Sequence, residues 1–324
     1  MLGVASLLIA ILVGFRYEVG ADWETYIEIF DNARYLDWGD IFTRGDPGYE
    51  FLNHVAHALG IEVWSVNFVC ALIFTFGLVK FARHQPNPWL AIVVGVPYLI
   101  IVVAMGYSRQ AVAIGLIMAG ITEFDKNRLI RFGLYILVAA AFHKTAIIIL
   151  PLVAMTSTRH RIVIAGVVAL MGYLFYSWFL EAGVDKLVTN YLVAEYSSQG
   201  AAIRVAMNLL PALIFLRYRK RFIMPDQQKR LWLNFALAAV AMLGMLFVLS
   251  SSTAVDRLAL YIIPLQLVVL SRVPDVFPSR DGGRNVQLVL MVILYSAVIQ
   301  FVWLNFANHA EYWLPYQFYP LVGE

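Results

Sequence analysis

The stretch Phe142-His143-Lys144-Thr145-Ala146 puts two ionisable side chains into an otherwise apolar run over 129–155. A charge at membrane depth costs ~2.5–3.5 kcal/mol on insertion scales, so such groups are as a rule paired and functional. Arg16, Arg109, Arg204 and Arg257 each stand at the mouth of another apolar segment. A guanidinium stays charged and binds oxygens in pairs, which suits a phosphate or diphosphate. Carboxylates among them (Asp22, Glu50, Asp256) and the imidazole of His143 suit general base catalysis. Asp22 follows closely on the first apolar segment, a good position for a base, and equally one for a helix N-cap. The bland reading of the cations is snorkelling to lipid headgroups. It serves any one of them better than all five, because their surroundings are so acidic. No zinc motif, phosphate-binding glycine loop or GxSxG elbow is present, and the one cysteine, Cys70, excludes a disulfide framework and a thiolate metal site.

These residues need a scaffold, and composition says which. Of 324 residues 61% are hydrophobic and 14% charged, with a mean hydropathy of +0.74. Soluble domains carry roughly 25% charged residues, so the chain reads as an all-α polytopic membrane protein. At about 20 apolar residues per span, it holds about 9–11 hydrophobic helices. The segments run over 2–15, 63–79, 88–106, 109–122, 129–155, 162–180, 203–216, 231–249, 258–270 and 286–306. The run 2–15 lacks a basic start and a small-residue cleavage site, so it reads as a retained helix. The whole chain, 1–324, reads as one integral membrane domain, with no internal repeat and no feature for nucleic acid.

Charge bookkeeping turns the run 129–155 into a broken or re-entrant pair. Cytoplasmic loops favour Lys and Arg. With a cytoplasmic N-terminus and a single crossing at 129–155, the basic residues at 159–161 and 217–221 fall outside. With a reversal at His143-Lys144, the loops 80–88, 123–131, 157–161, 217–230 and 272–285 all face the cytoplasm, and the C-terminus lies outside. That side then holds 16 Lys/Arg against the five acids Glu123, Asp125, Asp226, Asp275 and Asp281. The other side holds 8 Lys/Arg and 16 acids, which together restore the net +3. Each arm is about 13 residues, or ~20 Å of helix, short of the roughly 30 Å hydrocarbon core. The turn is therefore expected inside protein or beside a water-filled cavity. Arg16, Arg109, Lys144, Arg204 and Arg257 are then expected to converge on one outward cavity, while Arg34, Arg44 and Lys186 lie in polar stretches and stay solvated.

The outer stretch 16–62 carries two amphipathic patterns. Trp23, Tyr26, Ile27 and Phe30 fall at helical spacing, with acids opposite. Residues 48–55 read alike, with Pro47 at the start, so two interfacial helices are expected. The second outer loop is 181–200. His54 and His57 lie three apart; without a third ligand they read as packing rather than metal. Trp23, Tyr26, Tyr49, Tyr107, Trp313 and Tyr316 suit sugar stacking or an interfacial belt.

The same residues carry a resemblance. Arg16-Tyr17-Glu18-Val19-Gly20-Ala21-Asp22-Trp23-Glu24-Thr25-Tyr26 resembles the RY-x-x-G-x-D-Y-x-x-Y motif of EpsG-like exopolysaccharide proteins. Asp46-Pro47-Gly48-Tyr49 is similar to their EPGY stretch, with Asp for Glu. Ser108-Arg109-Gln110-Ala111 resembles their RQ-x-x-A helix start, and Phe142–Ala146 their FH-[KR]-[ST]-A motif. Asp256-Arg257 with Tyr261, and the ending Trp313-Leu314-Pro315-Tyr316, extend it along nearly the whole chain. Such proteins often carry one more helix before the first motif than this chain does.

The resemblance implies polymerisation of polyprenyl-diphosphate-linked repeat units on the outer face of a bacterial cytoplasmic membrane. This is the chemistry of O-antigen polymerases, on a fold similar to multi-span lipid-linked-sugar glycosyltransferases. Under it Arg109, Arg204 and Arg257 bind the diphosphate, joined by Arg16 and Lys144. Asp22 or His143 is the base, and Glu50 and Asp256 orient arginines. No metal or cofactor is required. The expected partners are the lipid-linked oligosaccharide, membrane lipids, a flippase and a chain-length regulator. The alternatives are a flippase or transporter of the same lipids, a glycan ligase or single-sugar transferase using a polyprenyl-linked donor, and an outward acyltransferase using His143. The missing internal repeat disfavours a transporter.

Overall fold

The structure, a computed structural model, describes residues 1–43, 45–156, 166, 169–170, 173, 200–248 and 252–322. Arg44, Lys186, the basic loop at 157–161 and nearly all of the segments expected at 162–180 and 181–200 lie outside the described residues.

The described chain is built almost wholly of helices: α1 (Leu2–Gly14), α2 (Trp23–Asn32), α3 (Trp38–Thr43), α4 (Pro47–Ala58), α5 (Val63–Ala82), α6 (Pro88–Gly95), α7 (Ser108–Phe124), α8 (Leu129–Phe142), α9 (Ile149–Ala154), α10 (Ala201–Tyr218), α11 (Asp226–Val248), α12 (Ser252–Ala259), α13 (Pro264–Val276), α14 (Val286–Phe306) and α15 (Tyr319–Val322). A π-helical stretch, Val96–Ala104, carries α6 onward. Among the described residues α5, α10, α11 and α14 are long and apolar enough to cross a membrane, and Val255–Ile262 with Pro264–Val276, bent by 40°, makes a fifth candidate. Leu2–Gly14, Pro88–Ala104, Leu129–Phe142 and Lys144–Ala154 are shorter apolar helices. The protein is an all-α polytopic membrane protein. Its exposed Leu, Ile, Val and Phe side chains on α14 are what lipid tails replace water around.

The chain forms two compact units. The first comprises Met1–His84, Gly95–Ala146 and Leu294–Glu324; the second comprises Gln85–Val94 and Ile147–Ile293. In the first, α7 is the central helix and packs on α5 and α8. It is buried on nearly every side, from Gln110 to Phe124. Without a hydrophobic drive between helices in lipid, small residues set how close they come. A Cβ on Gly77 of α5 would lie 1.9 Å from the Gly115 carbonyl oxygen of α7. One end of this packing is fastened by Glu123, 4% exposed. It faces Lys80 Nζ at 2.8 Å, Arg128 Nη1 at 3.4 Å and Arg131 Nη1 at 3.8 Å. Lys80 also donates to the Tyr135 hydroxyl at 3.0 Å.

The amphipathic patterns at 23–30 and 48–55 form α2 and α4. Sequence reading gave no sign of the two-stranded antiparallel ribbon, where Arg16 pairs with Phe318 and Tyr17 with Gln317. Strands of two residues are too short to show a period.

In the second unit, Asn208 of α10 donates to the Ala259 carbonyl at 2.8 Å and accepts from Gln266 of α13 at 2.7 Å. Arg272 donates to the Gln85 side chain, and Asn87 to the Ser271 carbonyl at 3.0 Å.

Overpacking a tight helix crossing costs about 1–3 kcal/mol. Gly77→Ala is therefore expected to lower the unfolding temperature of the detergent-solubilised protein. Gly133→Ala, whose added methyl meets nothing within 4 Å, is expected to leave it unchanged or raise it. Equal melting of both variants would refute the close-approach account.

Candidate functional site

The break expected at His143-Lys144 is present. Helix α8 ends at Phe142, and His143 is extended, with φ −156 and ψ 111. A 3-10 turn, Lys144–Ile148, follows. This leaves the Lys144 backbone N–H outside the α8 ladder, and it donates to Asp46 Oδ1 at 3.3 Å. Asp46 stands at the N-cap position before Pro47, yet makes no side-chain cap. Its other oxygen, Oδ2, accepts from Arg109 Nη1 at 2.9 Å. The same oxygen lies 3.7 Å from His143 Nδ1, too long for a hydrogen bond and close enough for charge attraction.

Close approach makes this meeting possible. A Cβ on Gly48 would sit 3.1 Å from the Phe142 ring and 3.2 Å from the Ala141 carbonyl carbon. Glycine there lets the first turn of α4 reach the last turn of α8. Arg109, in the first turn of α7, also lies 5.8 Å from the Tyr26 ring centre and 5.9 Å from that of Tyr49. Both rings are buried. Each is an aromatic face for the guanidinium.

Electrostatics follow from the geometry. Burial opposes the Asp46 charge, and His143, Arg109 and Lys144 outweigh it, holding the carboxyl below its usual range. Two fixed cations, Arg109 and Lys144, act on this one carboxylate. Among the described residues neither ring nitrogen of His143 has a hydrogen-bond partner, nor does the Tyr49 hydroxyl. Buried polar atoms without partners are rare in folded chains.

Arg16 has another place. It is 1% exposed. It donates to the Val13 carbonyl at 2.7 Å, the Val19 carbonyl at 3.2 Å, Asn67 Oδ1 at 3.1 Å and Ser108 Oγ at 2.6 Å. Burial pulls its pKa down. Ser108 directly precedes Arg109, so Arg16 holds the start of α7. Asp22 lies one helical turn before Tyr26, at the N-cap position of α2. It is near enough for its charge to raise the Tyr26 phenol beyond the dominant effect of burial. Glu50, 9% exposed, lies one turn after Asp46, and its backbone N–H bonds the Asp46 carbonyl at 3.0 Å.

The tail closes over this region. Trp313 donates to the Ile101 carbonyl at 2.8 Å. A Cβ on Gly106 would lie 2.4 Å from the Trp313 ring. Gly20, with φ +110, donates to the Tyr312 carbonyl at 2.7 Å. The aromatic set expected to stack sugars is thus mostly core: Trp23, Tyr26, Tyr49 and Trp313 are buried, and Tyr107 and Tyr316 are half-buried. His54 bonds the Ala33 carbonyl through Nδ1 at 3.2 Å and packs on Trp38, and His57 packs near Phe30.

Arg204, Asp256 and Arg257 belong to the second unit, where Arg204 Nε pairs with Asp256 Oδ1 at 2.7 Å. The structure thus brings Arg109, His143 and Lys144 together in the first unit and pairs Arg204 with Asp256 in the second. Asp46, at the centre of the first cluster, was missed as a site residue. Its neighbour Pro47 read as the start of a helix, and the signal at Asp46 itself was its place in the stretch similar to EPGY.

The model of the EpsG family matches residues 1–318. No curated protein and no solved structure matches the chain.

Two outcomes are expected on stability. Arg109→Ala leaves a buried carboxylate without its cation and costs about 3–5 kcal/mol. Asp46 has a folded pKa below its unfolded value of about 3.9, so its contribution is full above that value and is lost as pH falls through the folded one. Denaturation of the wild type below pH ~4 is expected to show this acid limb. Asp46→Asn is expected to lack it, and an unchanged limb would show that Asp46 is not the group responsible.

Proposed function

Since this chain belongs to the EpsG family, and so to exopolysaccharide-related membrane proteins, we propose that it polymerises polyprenyl-diphosphate-linked oligosaccharide repeat units. The reaction takes place on the outer face of a bacterial cytoplasmic membrane, with the N-terminus cytoplasmic and the C-terminus outside. The observation that carries this reading is the meeting of Asp46, Arg109, His143 and Lys144, from three separate sequence motifs, at one largely buried cluster.

Arg109 and Lys144 bind the donor's diphosphate. His143 takes the proton of an acceptor hydroxyl on the incoming unit, and Asp46, beside Nδ1, orients the ring and stabilises its charged form. The acceptor oxygen then bonds to the anomeric carbon of the donor glycan. The anomeric carbon–oxygen bond breaks, and polyprenyl diphosphate leaves with the electron pair. Fixed cations offset the charge that develops on the leaving oxygen. Arg16 positions Arg109 through Ser108, and Asp22 acts through Tyr26. A flippase that delivers units and a chain-length regulator are the protein partners this chemistry calls for. The reading rests on the first unit's cluster; Arg204, Asp256 and Arg257 are not needed for it.

The test is the purified chain with a polyprenyl-diphosphate-linked repeat unit, read as a ladder of product lengths. General base catalysis is worth about 10²–10⁴-fold. His143→Ala is expected to lose that factor and Arg109→Ala at least ~10²-fold, with Asp46→Asn between them and wild type. Normal-length polymer from His143→Ala and Arg109→Ala at normal protein levels would sink the assignment. Movement of units across a vesicle without lengthening would make the protein a flippase instead.

A further inference from the structure

In the second unit, the turn from α10 into α11 holds a cavity of about 260 Å³, lined by Arg219, Lys220, Asp226, Lys229, Arg230 and Leu233. Most of this lining is cationic. Of the basic residues in 217–221, Arg217 and Arg221 lie over the Tyr218 ring, 5.2 and 5.6 Å from its centre. Arg219 and Lys220 are exposed and line the cavity. Arg230 is fixed through Nε, which donates to the Thr156 carbonyl at 2.9 Å. The one acid, Asp226, opens α11, where a first-turn carboxylate acts on the positive end of its own helix. Among the described residues it forms no ion pair within 4 Å with any of the four cations. We infer that this cavity binds the phosphate headgroup of an anionic glycerophospholipid.

Helical spacing favours a lipid over a soluble anion. Asp226, Lys229, Arg230 and Leu233 fall at i, i+3, i+4 and i+7, so they share one face of α11. The same spacing carried onward gives Leu237, Val240, Gly244 and Phe247. Leu237 is 52%, Val240 38% and Phe247 84% exposed. The cationic cavity thus stands at the head of an exposed apolar stripe, on a helix long and apolar enough to cross a membrane. A phospholipid matches both parts, with its phosphate in the cavity and an acyl chain along the stripe. A soluble phosphate uses only the first. The cavity is small beside the ~300–1,000 Å³ of ordinary ligand pockets, so it takes a headgroup and leaves the tails outside. Basic pockets between membrane helices bind anionic headgroups on these terms. An ethanolamine headgroup would bring an ammonium among four cations, so the site selects phosphatidylglycerol over phosphatidylethanolamine.

The site is independent of the polymerisation chemistry proposed above and shares no residue with the Asp46 cluster. Its test is native mass spectrometry of the full chain in detergent. The probes are phosphatidylglycerol, phosphatidylethanolamine, the tail-less sn-glycerol 3-phosphate and a hexaglutamate peptide. Phosphatidylglycerol is expected to bind at least tenfold more tightly than each of the others. At about fivefold per surface cation, Arg219→Gln with Lys220→Gln is expected to weaken that binding at least tenfold. Both positions are exposed, so the fold survives the change. The charge-keeping pair Arg219→Lys with Lys220→Arg is expected to bind as wild type does. So is Arg83→Gln with Arg280→Gln, which removes two exposed cations outside the cavity. Equal binding of the two lipids, binding that survives the Arg219–Lys220 neutralisation, or an equal loss in the Arg83–Arg280 control would each overturn the site. Glycerol 3-phosphate binding as tightly as phosphatidylglycerol would make this a soluble-phosphate site. Tighter binding of hexaglutamate would make it a dock for an acidic segment, and either result overturns the lipid assignment.

Discussion

One buried carboxylate organises the first unit. Asp46 accepts from Arg109 and from the Lys144 backbone and faces His143. A lone carboxylate at 6% exposure is costly, and only paired charge makes it tolerable. The partners come from the starts of α4 and α7 and from the end of α8. These three helix ends must meet for any of the charges to be buried. The helix termini thus specify one arrangement, because misplacing any of them leaves an unmatched ion.

Around that ion the neighbours divide their tasks. Arg16 spends its donors on the chain and so fixes Ser108, the residue before Arg109. Gly48 and Gly106 concede their Cβ positions to Phe142 and Trp313. Tyr26 and Tyr49 present faces to Arg109. Asp46 draws Arg109 and Lys144 to one carboxylate. A buried guanidinium has to be held stably by the chain itself, and an internal counter-ion supplies that stability.

What the sequence made legible was whatever depends on local pattern. Two charges in an apolar run marked the break at His143, because no continuous helix in lipid tolerates them cheaply. The spacing of Trp23, Tyr26, Ile27 and Phe30 marked α2, and Pro47 marked the start of α4. Asp46 was invisible as a centre because its role depends on residues 63 and 98 positions away. Arg16 read as a ligand-binding cation because it stands at the mouth of the apolar segment 2–15. Only packing shows that its partners are Asn67 and Ser108. The exposed Tyr35 and the buried Tyr49 cannot be told apart by residue type, since burial follows from which helix covers which.

The pairing of Arg16-Tyr17 with Gln317-Phe318 carries a consequence for timing. A chain leaves the ribosome from its N-terminal end, and these partners are about 300 residues apart. Closing so long a loop costs only a little more entropy than closing a shorter one, but it cannot begin until Gln317 and Phe318 exist. Trp313 reaches Gly106 just ahead of Arg109 under the same condition. The segment around the arginine is therefore sealed only after residues 313–318 have been made, and a nascent chain whose earlier helices are already threaded through the membrane still lacks its closing piece.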